Sequence, residues 1–192
     1  NYVKALKHFK SVNNIVVIAT SNKDSPWAEK LPEGVRFIEF GKLYAYLSSE
    51  EQEKLITRLL IQMKPKVIHN INSELGYTIF SKYGGALAKT SKLFACSFCE
   101  DMTDEGKSIG YAFTYLPKCY KYLEGIFSDN NSFLEKLNNI YLFNKEKLYV
   151  HYQPVEIPPK RNCIENSLNK EHLDILWAGR IDRQKRPDIL CE

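Results

Sequence analysis

The chain has 192 residues, 44% of them hydrophobic and 26% charged, which is enough apolar material for an ordinary globular core and argues against a disordered chain. Its 27 basic and 23 acidic side chains leave a formal net charge of +4, a mild excess that permits an anionic ligand or peripheral membrane contact and gives no ground for nucleic acid as a partner. The five cysteines lack the paired spacing of a secreted disulfide framework, no basic-then-apolar leader is present, and no run nears the ~18 apolar residues of a membrane span, so a reducing cytoplasm is the expected compartment.

Residues 2–12 read as a helix, with Val3, Leu6 and Phe9 at helical spacing. Asn14-Ile-Val-Val-Ile-Ala-Thr20 is a continuous apolar run bounded by turn residues, the pattern of a strand buried on both faces of a parallel sheet. Residues 35–40 predict a second, half-alternating strand. Ser48 and Glu51 make a capping box ahead of a helix through Met63, whose Leu55, Ile56, Leu59, Leu60 and Met63 form one apolar stripe; Pro65 bounds it. A strand over 66–71 precedes a helix that starts near Ser73 and ends at the Gly84-Gly85 break.

Further along, 92–97 predicts a strand, 100–108 a polar loop, and 115–123 a helix with Pro117 in its first turn. Residues 125–128 predict a short strand, 131–140 a helix and 147–152 a strand. Strands alternating with helices at these lengths give βαβ units, so the expected fold class is α/β, a doubly wound, Rossmann-like parallel sheet. Pro154, Pro158 and Pro159 lie in a polar stretch that marks 153–172 as a linker, after which Leu173 begins a new strand. The expected organisation is a first domain over 1–152, the linker, and over 173–192 the start of a second, truncated domain.

In such a sheet ligands sit beyond the carboxyl ends of the strands. That rule selects His69, Asn70, Asn72, Ser73 and Glu74 after the third strand, Cys99, Glu100 and Asp101 after the fourth, and Asp129 after the fifth. Histidine and paired carboxylates suit proton transfer or hydroxyl binding, whereas Asn72, Ser73 and Asn131 equally suit helix capping. Cys96-Ser-Phe-Cys99 has the CxxC spacing, but without a second ligand pair it reads as two thiols at a strand end. Tyr111, Tyr115, Tyr120 and Tyr122 with Lys118 and Lys121 are an aromatic and basic cluster open to two readings, packing or contact with a sugar or membrane interface.

The richest segment is Ile175-Leu-Trp-Ala-Gly-Arg-Ile-Asp-Arg-Gln-Lys-Arg-Pro-Asp188: a buried strand, a glycine turn carrying cations, and a helix start. Gly179 permits close backbone approach, Arg180 offers a planar fork for phosphate oxygens, and Lys185 adds a point charge. A solvated basic turn is the other reading of the same residues. GxGxxG, Walker A, HExxH and GxSxG are all absent from the sequence, so dinucleotide, P-loop, zincin and hydrolase chemistries lose their usual signatures.

This segment resembles the start of the donor domain in group 1 glycosyltransferases, the retaining family four of two-Rossmann-domain (GT-B) enzymes. Tyr149-Val-His-Tyr-Gln-Pro-Val-Glu156 resembles the last acceptor-domain strand and its crossing linker, Gly125-Ile-Phe-Ser-Asp-Asn130 the strand before it, and Val67-Ile-His-Asn-Ile-Asn-Ser-Glu74 the strand ending in a His-containing motif. The resemblance implies a transferase that moves a sugar from a nucleotide-sugar donor to a glycan or lipid-linked acceptor at the cytoplasmic face of a membrane, with no metal and no other cofactor. It implies that Gly179, Arg180 and Lys185 hold the donor diphosphate and that His69, Asn70, Ser73, Glu74, Glu100 and Asp101 face the acceptor.

Three departures from the family stand out. Arg186 replaces a common glycine, Gln153-Pro154 replaces a common Asn-Gly, and Cys96-Ser-Phe-Cys-Glu-Asp101 lacks the histidine often found there, so no catalytic residue is assigned. The resemblance also places a first strand with a glycine-rich loop ahead of Asn1 and a paired-glutamate motif beyond Glu192, which makes an inactive fragment the expectation. The alternatives are a non-catalytic α/β binding module, with Arg180 and Lys185 as surface charges, or a GT-B nucleotide-sugar epimerase.

Overall fold

A computed structural model describes residues 2–9, 12, 14–103, 105–152, 178–179, 181 and 187–190, and they contain eight strands. These are β1 (Val16–Ile18), β2 (Arg36–Ile38), β3 (Val67–Ile71), β4 (Lys92–Cys96), β5 (Asp101–Met102), β6 (Ser108–Ile109), β7 (Leu123–Ser128) and β8 (Leu148–Val150). β1 pairs with β2, and β3, β4, β7 and β8 lie side by side in that order, every one of these ladders parallel. The helices are α1 (Tyr2–Lys7), α2 (Phe40–Leu43), α3 (Ser49–Met63), α4 (Glu74–Leu87), α5 (Tyr111–Thr114), α6 (Leu116–Cys119) and α7 (Asn131–Tyr141). The architecture is α/β, a parallel four-stranded sheet flanked by helices.

The chain divides into two compact units, Asn1–Pro154 and Val155–Glu192. In the second, Ala178, Gly179 and Ile181 are exposed and Pro187–Leu190 forms a single 3-10 turn. The predicted linker over 153–172 and the strand from Leu173 lie outside the described residues.

Local chemistry explains the long helices. Ser48 Oγ accepts from Glu51 N at 3.3 Å while the Glu51 carboxylate accepts from Ser48 N at 2.9 Å, so the predicted capping box starts α3. The helix closes where Lys64 adopts a left-handed φ of 45° just before Pro65. Ile56 and Leu60 are buried on its apolar stripe.

Four expectations need correction. α4 does not break at Gly84-Gly85 but runs through both to Leu87, because a Cβ on Gly84 would stand 2.5 Å from Tyr122 Cδ2; the glycine is there to admit an aromatic ring. The expected helix over 115–123 is instead two short helices and a 3-10 turn, and Leu123 opens β7, since pairing with Leu93 of β4 and full burial outweigh helix propensity. The polar loop over 100–108 contains the β5–β6 hairpin, closed by Gly106 at φ 77° with its N–H on Thr103 O at 3.0 Å. α1 stops at Lys7 and leaves Phe9 62% exposed.

Side chains alternate across the sheet and give its two faces different company. Leu93, Ala95 and Ile126 share one face, are fully buried, and belong to a core with Phe40, Phe80, Leu87 and Leu137. α4 anchors there: Tyr77 Oη donates to Cys96 O at 2.6 Å, and Lys82 pairs with Glu53 of α3 at 2.6 Å. The opposite face carries His69, Phe94 and Phe127 in ring contact, with Tyr149 stacked on Phe127 and Tyr2 of α1 edge-on to His69.

Candidate functional site

Of the residues picked out at strand ends, Asn70 and Ser73 come together at the end of β3 and Glu100 and Asp101 lie at the β5–β6 hairpin, and most already hold structural bonds. Asn70 is 5% exposed; its Oδ1 accepts from Ser73 N and its Nδ2 donates to Ser73 O, both at 3.1 Å. This closes the tight turn in which Asn72 takes a left-handed φ of 53°. Ser73 then caps α4, its Oγ accepting from Gly76 N at 3.0 Å. The capping reading of Ser73 holds, while Asn72 is the turn residue beside the cap. Asn131 starts α7 rather than capping it, since the side chain that accepts from Phe133 N at 3.1 Å belongs to Asn130.

His69 sits inside β3 rather than beyond it. Its Nδ1 meets Tyr2 Oη at 2.8 Å and its Nε2 meets Cys96 Sγ at 3.0 Å. A neutral imidazole satisfies both neighbours by donating at one nitrogen and accepting at the other, in either tautomer. Burial, reinforced by the nearby His151, lowers the ring's pKa to about 4, so it is neutral at pH 7. Burial raises the Cys96 thiol to about 12, with Asp129 adding to the effect. The pair is therefore no thiolate–imidazolium nucleophile; at neutral pH His69 is a neutral ring that orients Tyr2 and Cys96, and Cys96 is a packed thiol. Cys99, three residues on, is exposed, and the described cysteines are free thiols.

Linkage fixes the pH consequence. Between its folded value near 4 and its unfolded value near 6.5 the ring binds more protons in the unfolded chain, so stability rises with pH through that window and falls on acidification. The loss from pH 7 to 4 is about 2 kcal/mol, the full shift of about 3 kcal/mol being reduced by partial exposure. Urea denaturation of His69→Gln at pH 7 and pH 4.5 is expected to show a shallower pH dependence than the wild type. Equal slopes would remove His69 as the source.

The acidic residues divide into two kinds. Burial pushes the Glu100 carboxyl up, but hydrogen bonds from Lys136 and Ser108 and the Lys136 charge outweigh it and hold the group below its ordinary range. Lys136 Nζ stands 2.8 and 2.6 Å from the two Glu100 oxygens and donates to Ser108 Oγ at 2.9 Å, pinning the hairpin to α7. Glu74, in the first turn of α4, is exposed and accepts from Tyr115 Oη at 3.2 Å. Asp101 is exposed and accepts from Met102 N at 2.8 Å, while Asp129, just past β7, is partly exposed.

Strand-end reasoning missed three contributors. Thr20 bonds Ser73, Oγ to Oγ, at 2.6 Å; applying the same rule to the end of β1 would have found it. Tyr115 was read only as part of an aromatic cluster, and it also lines a shallow recess of about 380 Å³ with Thr78, Ser81, Lys82 and Lys118. Tyr2 carried no signal in the sequence, since its contact with His69 spans 67 residues. Of the diphosphate candidates, Gly179 lies in an exposed bend, and Arg180 and Lys185 fall outside the described residues.

Among the described residues no group of three or more metal-ligating side chains converges, and no helix is long and apolar enough to cross a membrane. No family model, curated protein or solved structure matches the chain. The fold is α/β, with a parallel four-stranded sheet flanked by helices in a Rossmann-like arrangement.

Proposed function

We propose that the chain carries the acceptor-side domain and the first donor-side element of a retaining glycosyltransferase with GT-B architecture, acting from a nucleotide-sugar donor on a glycan or lipid-linked acceptor at the cytoplasmic face of a membrane. The observation that carries the reading is the order of the sequence. A parallel α/β unit is followed by an apolar run, Gly179-Arg180, Lys185 and Pro187-Asp188. In transfer, the bond from the sugar's anomeric carbon to the diphosphate oxygen breaks as the acceptor oxygen bonds to that carbon, negative charge builds on the leaving diphosphate, and the hydroxyl proton passes to that diphosphate. A guanidinium fork and an ammonium group stabilise that charge as a metal ion does in other transferases.

On the acceptor side, Glu74 and Asp101 keep their carboxylates exposed at the carboxyl edge, where a sugar hydroxyl can donate to them. Glu74→Gln, in protein made from the complete coding sequence, is expected to raise the acceptor KM about 10-fold, the scale of one charge-assisted hydrogen bond. An unchanged KM would remove Glu74 from the acceptor site. The reading as a whole is tested by screening the same protein for transfer and hydrolysis with common radiolabelled nucleotide sugars; neither activity with any donor would sink it.

A second reading has its own support. His69, Asn70, Ser73 and Glu100 are all engaged in intramolecular bonds, as expected of a non-catalytic α/β binding module whose strand ends are structural.

A further inference from the structure

The recess of about 380 Å³ at α4 and α6 is lined by side chains that the strand ends do not use. Thr78, Ser81 and Lys82 stand three and four residues apart and so share one face of α4, while Tyr115 and Lys118, three apart, meet them from the head of α6. The Tyr115 ring stacks on Tyr77 at 5.8 Å and 18°, and Tyr77 is itself fully buried, with its Oη on Cys96 O at 2.6 Å. The aromatic wall is therefore fixed by the core before any ligand arrives, which lowers the cost of binding.

Donors predominate in the recess. Lys82 pairs with Glu53 at 2.6 Å, but the Glu53 side chain is 9% exposed and that of Lys82 54%, so the pair keeps its carboxylate inside and presents its ammonium outward. One of the three ammonium N–H groups serves Glu53 and two remain. Among the described residues the Lys118 ammonium has no carboxylate partner and lies 5.9 Å from the centre of the Tyr115 ring, and the Thr78 hydroxyl makes no hydrogen bond. Ser81 Oγ already donates to Tyr77 O at 2.9 Å and is left as an acceptor. Glu74 supplies an opposing charge, its carboxylate accepting from Tyr115 Oη at 3.2 Å.

Ammonium groups beside an aromatic ring suit a ligand that carries acceptor oxygens on a ring of its own. The volume lies at the small end of ligand pockets, which run from roughly 300 to 1,000 Å³, and so suits a single ring rather than a chain of them. We propose that the recess binds an anionic monosaccharide, its ring against Tyr115 and its oxyanion, phosphate or carboxylate, held by Lys82 and Lys118. This rests on the α4–α6 recess alone and stands apart from the glycosyl-transfer reading.

Titration of protein made from the complete coding sequence with glucose 6-phosphate, glucuronate, glucose and inorganic phosphate, followed at the amides of Thr78, Ser81, Lys82 and Lys118 by NMR, tests it. At least one charged sugar is expected to shift those amides with a Kd about 10-fold or more below those of glucose and inorganic phosphate, and the tighter of the two names the oxyanion. Lys118→Gln, an exposed substitution whose fold the same spectra check, is expected to weaken that binding about 10-fold, and Glu74→Gln to tighten it by removing the opposing charge. Silence at these amides with both charged sugars, or undiminished binding in Lys118→Gln, would overturn the proposal. Glucose or inorganic phosphate binding as tightly as the charged sugars would do the same, as would weaker binding in Glu74→Gln, the mark of a recess that reads sugar hydroxyls instead.

Discussion

Gly41→Ala is expected to lower the unfolding free energy by more than about 3 kcal/mol, at the upper end of what overpacking costs. Gly41 lies in α2, fully inside the core, and a methyl group there would run into the carbonyl oxygens of Thr20 and Ser21 and stand 2.5 Å from Ser21 C. These are backbone atoms, so no rotamer change relieves the clash. The loop after β1 would have to move, breaking the 3.0 Å bond from Gly41 N to Ala19 O and shifting Thr20 away from Ser73. The substitution therefore links packing to the site, since the residue that would move is a partner of the α4 cap. Urea or thermal unfolding measures the loss; a change below about 1 kcal/mol would show that this loop yields easily.

Arg180→Ala is expected to have the largest effect on activity, a loss of about 10²–10³ in kcat for transfer by protein made from the complete coding sequence. One unit of negative charge develops on the leaving diphosphate as the donor bond breaks, and Arg180, next to Gly179, offers a planar bidentate fork to meet it. Arg180→Lys keeps the charge but not the fork, so it should recover only part of the rate. Because the interaction strengthens in the transition state, the loss should fall mainly on kcat rather than on donor KM.

Periodicity and capping made the α/β class and most of the strands legible. The strands predicted over 66–71 and 92–97 match β3 and β4, because their largely apolar composition sets them locally. The failures share a cause in distant partners. Gly84 and Gly85 look like a helix break until Tyr122 is found packed against them, and Leu123 looks helical until Leu93 is found beside it. At the candidate site, Ser73 and Glu74 could be read from the capping pattern at the head of α4. The Tyr2–His69–Cys96 chain could not, since it joins three elements whose neighbourhood exists only after folding. His69 was legible as a polar residue in an apolar run but not as a neutral, half-buried one, because that depends on burial and on the approach of His151.

The claim of glycosyl transfer is met most directly by one measurement: turnover of radiolabelled nucleotide sugars by the wild-type protein and by Arg180→Ala, both from the complete coding sequence, with the anomeric configuration of the product read by NMR. Transfer or hydrolysis of at least one donor with retained configuration is expected, with a loss of about 10²–10³ in the variant. Absence of turnover with every donor, or a variant as active as the wild type, would contradict it.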